Sequence, residues 1–116
     1  MEIDITTKKM NGRLWLMVRI SGELDMYTAD TLRRRLDAAL AQAATRHICF
    51  DFAGVNFIDS SGLGLLLGRY RQVAPAGGAL LITNCTPPVY RLLLASGMDK
   101  VLQIDRPRVR ADQGRQ

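Results

Sequence analysis

The dipeptide Asn11-Gly12 separates two runs in which apolar and polar side chains alternate, and this pattern fixes how the chain must begin. Asn-Gly accepts the positive φ values of a two-residue hairpin turn. Residues 3–9 alternate before it. After it, Leu14, Leu16, Val18 and Ile20 alternate with Arg13, Trp15, Met17 and Arg19, the mark of a strand with one buried face. Ser21-Gly22 is expected to end that strand. Thr28 is expected to cap a helix carrying Ala29, Leu32, Leu36, Leu40 and Ala43 at helical spacing. A strand follows over residues 47–52, with Ile48, Phe50 and Phe52 on one side, and residues 55–58 extend it or form another. Asp59-Ser60-Ser61-Gly62 opens an apolar helical run to about Val73, which Pro75, Gly77 and Gly78 close. Residues 79–83 read as a strand. Pro87 and Pro88 open a third helix over residues 89–96, Gly97 ends it, and residues 101–104 form a last short strand. A hairpin followed by alternating α and β elements implies an α/β fold: a mixed sheet with an N-terminal hairpin and helices packed on it. One domain is expected over residues 1–105, with a basic, disordered tail over 106–116.

Composition narrows the function. Of 116 residues, 47% are hydrophobic and 23% charged, a balance that supports a packed core and excludes a disordered chain. Cys49 and Cys85 are too few for a secreted disulfide scaffold, and with no signal peptide recognisable the expected setting is the reducing cytoplasm. No apolar run is long enough to cross a membrane. His47 is the only histidine and no Cys-x-x-Cys occurs, so no metal and no cofactor is expected. The net charge of +5 invites a nucleic-acid reading. Its distribution argues otherwise. Arg106, Arg108, Arg110 and Arg115 lie in the tail, and Arg33 and Arg34 are spaced to pair with Asp30 and Asp37 on one helix. No aromatic residues are interleaved with the basic ones to stack on bases.

The helix after Asp59 is the unusual element. Leu63, Leu66, Leu67 and Tyr70 fall on one stripe, the expected buried face. The opposite face would carry Ser61, Gly64, Leu65, Gly68 and Gln72, with none of the charged residues that normally cover a solvated face. Two glycines inside a helix each cost about 1 kcal/mol relative to alanine. They either allow close packing within the fold or leave room for a partner protein lying flat on this face. At the helix start, Ser60 and Ser61 either cap the helix or offer an outward hydroxyl for phosphorylation. A phosphoserine adds about −1.5 to −2 charges, which a helix N-terminus tolerates but a docked surface beside Asp59 does not. A catalytic serine is not indicated: His47 is the only candidate base and has no motif around it. Gly62-Leu63-Gly64 also lacks the Gly-Lys-Ser/Thr of a phosphate-binding loop.

Gly22-Glu23-Leu24-Asp25, Thr28-Ala29 and Phe57-Ile58-Asp59-Ser60-Ser61-Gly62-Leu63-Gly64 together resemble the signature of STAS domains. Leu67-Gly68-Arg69-Tyr70, Gly77-Gly78, and the segment from Val89-Tyr90-Arg91-Leu92 to Ser96-Gly97-Met98 extend the likeness toward the anti-sigma factor antagonists of sporulation. The resemblance covers about residues 3–105 and implies a STAS-like sheet. It implies a cytoplasmic protein that, when dephosphorylated, binds an anti-sigma factor serine kinase with its bound nucleotide and so frees the sigma factor for transcription. It also implies phosphorylation of the first serine, Ser60, by that kinase and removal of the phosphate by a metal-dependent, PP2C-like phosphatase. The chain is then a substrate rather than an enzyme. By the same resemblance Asp25 should lie near Ser60; on its own it reads as a turn or helix-start residue. The expected docking surface is Asp25, Asp59, Ser60, Ser61 and Gly62 with the bare face around Gly64, Leu65 and Gly68. The alternative within the family is a binding module of a stress complex or a lipid-transport system that is not switched at Ser60. Outside it, the rival is a small enzyme or nucleotide-binding domain. One departure stands out: family members usually end in a helix, and residues 105–110 carry no apolar stripe for one.

Overall fold

In the computed structural model residues 1–107 are described, so most of the basic tail expected over 106–116 lies outside the described residues. The hairpin forms as the sequence dictates. Strand β1 (Glu2–Met10) pairs antiparallel with β2 (Arg13–Leu24), and Asn11 and Gly12 take φ of 54° and 74°. The chain continues as α1 (Met26–Gln42), β3 (His47–Ile58), α2 (Ser60–Val73), β4 (Ala79–Thr83), α3 (Pro87–Ala95) and β5 (Gln103–Ile104). Single turns of 3-10 helix follow α2 and α3 at Ala74–Ala76 and Met98–Lys100. The strands lie in the order β1-β2-β3-β4-β5, parallel from β2 onward. Three parallel crossovers step in one direction across the sheet, so the usual right-handed connection carries all three helices to one face.

The registers show which face is the core. Leu16, Ile48 and Leu80 form one row across β2, β3 and β4; Val18, Phe50 and Ile82 form the next, and all six are buried. Helix α1 packs on the β2 side of these rows and buries Ala29, Leu32, Leu36 and Leu40, as expected from spacing, while α2 packs on β3 and β4. The paired Arg33 and Arg34 are also as expected. Both bridge to Asp30, and Arg33 reaches Asp37, on the solvent side of α1.

Two expectations are corrected, and one left open is resolved. Strand β2 does not stop at Ser21-Gly22. It runs on to Leu24 because Gly22 takes φ of 102° and the register with β3 shifts there rather than breaking. Helix α1 starts earlier than expected: Asp25 is its N-cap, and Thr28 sits three residues inside it. An aspartate carboxylate reaches two backbone N–H groups at once, so it takes the cap position ahead of the threonine. The segment 55–58 is the end of β3, and β3 delivers the chain directly to Asp59.

Candidate functional site

Two helix N-termini stand side by side at the C-terminal ends of β2 and β3. Leu24 pairs with Ile58 in the parallel ladder, and the Asp59 N–H donates to the Leu24 carbonyl at 3.2 Å. Asp25 and Asp59, the residues that follow, are both N-caps with nearly identical backbones (φ −114°, ψ −172° and φ −116°, ψ −170°). Adjacent strands lie about 5 Å apart, so the two caps share one edge of the molecule. The expected proximity of Asp25 to the serine pair follows from this pairing.

The caps differ in what they consume. At α1, the Asp25 carboxylate accepts from the Tyr27 and Thr28 N–H groups at 3.0 Å each. The Thr28 hydroxyl accepts from the Asp25 N–H at 2.9 Å and donates to the Glu23 carbonyl at 2.7 Å. These bonds, the Thr28 N–H first, hold the Asp25 carboxyl below its usual range. At α2, the Asp59 carboxylate accepts from the Ser61 N–H at 2.8 Å and the Gly62 N–H at 3.3 Å. Capping is therefore done by Asp59 and not by either serine. Ser60, first residue of the helix, is exposed and its hydroxyl is left out of the cap; Ser61 is half-buried.

The face of α2 turns out differently from the expected wheel. The buried residues are Gly62, Leu65, Leu66 and Val73, so the stripe is rotated toward Leu65; Leu63, Leu67 and Tyr70 are half-buried. Leu65 is only 6% exposed and belongs to the core, which corrects its placement on a bare docking face. Gly62 is also buried rather than presented. A Cβ there would stand 2.6 Å from Ile58 Cγ1 and 2.8 Å from the Leu24 carbonyl oxygen, so this glycine exists to let α2 start against the sheet. Gly64 and Gly68 are different: a Cβ on either would meet nothing within 4 Å. Among the described residues they serve no close packing. Between α1 and α2 a groove of about 290 Å³ is lined by Ala29, Asp30, Arg33, Ser61, Gly64 and Arg69, with Leu65 as its floor.

Sequence reasoning missed the apolar part of this edge. Met26 is 62% exposed, Tyr27 79% and Phe57 47%. Once Asp25 is the cap, Met26 and Tyr27 are the first two residues of α1, both exposed; reading Thr28 as the cap hid them. Phe57 is registered against Glu23 on the neighbouring strand, at the same edge. Elsewhere, His47 lies at the far end of β3 from Ser60, which separates it from the serine pair. Burial raises the Cys49 thiol and pushes Cys85 up to about 11, so neither is a reactive thiolate. Among the described residues no helix is long and apolar enough to cross a membrane.

In class, this is a mixed α/β domain whose distinctive surface is a rim around two neighbouring helix N-termini. The STAS domain pattern matches residues 4–111, and the chain belongs to the STAS domain family. It is 43% identical over 89 residues to an anti-sigma F factor antagonist of Paenibacillus polymyxa, covering 77% of this chain and 76% of that one. The solved structure of the anti-sigma factor antagonist SpoIIAA in its unphosphorylated form superposes with a TM-score of 0.66 at 25% identity, covering 90% of each chain. That of the Bacillus cell fate determinant SpoIIAA in the phosphorylated form gives 0.62 at 28% identity, covering 89% of this chain and 92% of the other.

Proposed function

We propose that this chain is an anti-sigma factor antagonist that works in the cytoplasm. In its dephosphorylated state it docks on an anti-sigma factor serine kinase carrying a nucleotide, and the sigma factor is released. Phosphorylation of Ser60 by that kinase ends the interaction, and a PP2C-like phosphatase restores it. The chain is the substrate in this cycle and catalyses none of it. The observation that carries the reading is the exposed Ser60 at the first position of α2, with the capping work already done by Asp59. The names of its relatives, and the existence of a similar fold in both unphosphorylated and phosphorylated forms, support it.

The docking surface is the edge formed by Asp25, Asp59, Ser60 and Ser61, continued by the open positions Gly64 and Gly68. Met26, Tyr27 and Phe57 add its apolar contacts. Covering such side chains is worth about 2 kcal/mol each, enough to hold a partner once ordering costs are met. A phosphate on Ser60 would sit at the positive end of the α2 dipole, where the fold tolerates it. It would also sit beside the carboxylates of Asp25 and Asp59 in a contact from which water is excluded. Repulsion and desolvation of about 4 kcal/mol lower affinity roughly a thousandfold.

The test is incubation with a candidate anti-sigma kinase and ATP, followed by mass spectrometry and co-purification. Phosphate should appear on Ser60 and be absent from the Ser60→Ala variant, which still co-purifies with the kinase. Phosphate on Ser61 instead would overturn the choice between the serines. A partner unrelated to sigma factors, bound equally well by Ser60→Asp, would place the chain in a different STAS complex.

A further inference from the structure

At the opposite end of the sheet lies an open pocket of about 540 Å³, lined by Arg13, Thr45, Arg46 and His47 together with small apolar residues and no Asp or Glu. Its basic side chains are held in place. Arg46 Nη1 donates to the Leu40 carbonyl at 3.2 Å and the Thr45 carbonyl at 2.9 Å. The buried Thr45 donates its hydroxyl to the Leu14 carbonyl at 2.6 Å and accepts the His47 N–H at 3.0 Å. The His47 ring packs edge-on against Trp15, with ring centroids 5.2 Å apart. Arg13 Nη1 lies 2.8 Å from His47 Nε2, which must be the unprotonated nitrogen to accept from a guanidinium.

What marks these two arginines is the concavity they share rather than the lack of an ion pair, which Arg35, Arg71 and Arg91 also lack among the described residues. Arg19, Arg33, Arg34 and Arg69 each pair with an aspartate. Among the described residues, Arg13 and Arg46 each engage a single nitrogen, Nη1, and only with neutral acceptors, an imidazole and two carbonyls, which leaves Nε and Nη2 free to donate. Two guanidiniums thus line one concavity that has no carboxylate among its described lining residues; Asp37 shares an adjoining hollow with Arg46 but makes no ion pair with it. The carbonyl end of α1 would oppose an anion here, but Arg46 covers its Leu40 carbonyl. The forked donors of arginine match the oxygens of a phosphate. From this convergence of Arg13, Arg46 and His47 around an acid-free pocket we infer a second binding site, for a phosphate group, at the far end of β3 from Ser60. Its occupant is either inorganic phosphate or the phosphoryl group of a phosphomonoester. Burial and the Arg13 charge both hold the His47 pKa below its usual value. On β1, Lys8 is registered opposite Trp15. A bound dianion opposes the Arg13 charge and raises the pKa.

His47 is the only histidine and Trp15 the only tryptophan, so both report on this pocket alone. The His47 ring resonances are titrated by NMR in chloride, inorganic phosphate or AMP at matched ionic strength, with Trp15 fluorescence followed in parallel. Saturable binding of phosphate or AMP should raise the His47 midpoint by about one unit. Arg13→Gln and Arg46→Gln should each weaken binding tenfold or more in chains that still melt cooperatively, with a lower melting temperature for Arg46→Gln alone because it also loses the bonds to the Leu40 and Thr45 carbonyls. Saturation by inorganic phosphate alone assigns the site to the free ion; tighter binding of AMP assigns it to a phosphomonoester. Equal behaviour in chloride and both phosphates, or binding that survives both substitutions, would overturn the site. Kinase docking at Ser60 is measured separately, so failure of either reading leaves the other standing.

Discussion

The N-termini of α1 and α2 begin from adjacent parallel strands with the same cap geometry, yet their hydroxyls have opposite fates. At α1 the hydroxyl sits three residues in, on Thr28, and is consumed by the Asp25 N–H and the Glu23 carbonyl. At α2 the corresponding position is Gly62, with no room for a side chain, and the hydroxyl sits at the first position, on the exposed Ser60. One terminus is locked by a reciprocal cap. The other is capped by its aspartate alone, and its first-position hydroxyl stays outside the cap. On the proposed reading, the fold separates a structural from a modifiable hydroxyl by moving it two positions along a helix.

Making α2 resemble α1 should be the most damaging change. Gly62→Thr would install the reciprocal cap on paper, but its Cβ collides with Ile58 and the Leu24 carbonyl. Overpacking there should cost about 3 kcal/mol in denaturant unfolding; a variant as stable as the parent would refute the close approach. Removing the hydroxyls should separate the two ends next. Thr28→Ala should lose about 1 kcal/mol of stability, whereas Ser60→Ala should change it by less than about 0.5 kcal/mol. Similar losses at both would mean that Ser60 has a structural partner after all.

Gly64→Ala sharpens the contrast from the other side. The added methyl meets nothing within 4 Å, so it should stabilise the helix by up to about 1 kcal/mol. If Gly64 faces a docked kinase, the same variant binds it more weakly while melting higher. The smallest effect concerns pH. The folded state depresses the Asp25 pKa, so the ionised carboxylate stabilises the fold above its ordinary pKa of about 3.9. That contribution is lost as pH falls through the lower, folded value. Asp25→Asn should therefore flatten the acid limb of the stability curve, and an unchanged limb would show that the cap bonds do not stabilise the charged form.

What the sequence made legible followed strong local rules. Asn11-Gly12 admits few turns, the alternation from Leu14 to Ile20 admits one buried face, and the α1 stripe from Ala29 to Leu40 was read correctly. The candidate site was legible in its polar members, because Asp59-Ser60-Ser61 marks a helix start whatever surrounds it. Its apolar members were not. Met26 and Tyr27 take their exposure from which residue caps α1, and Asp25 and Thr28 both have capping chemistry. The α2 stripe was misread because its face is set by tertiary contact rather than by hydrophobicity. Leucines at 63, 65, 66 and 67 occur nearly all around the helix, and the close approach of Gly62 to Leu24 and Ile58 turns Leu65 inward. A glycine without a side chain gives no periodic signal, although here it sets the rotation of the helix.

The central claim is that charge on Ser60 ejects a bound partner without disturbing the scaffold. Calorimetry of the unmodified and Ser60-phosphorylated chains against the cognate kinase, with melting of each free chain measured alongside, tests it most directly. The account predicts a loss of affinity of about a thousandfold with melting temperatures within a few degrees of each other. Equal affinities, or a phosphorylated chain that no longer folds, would contradict it.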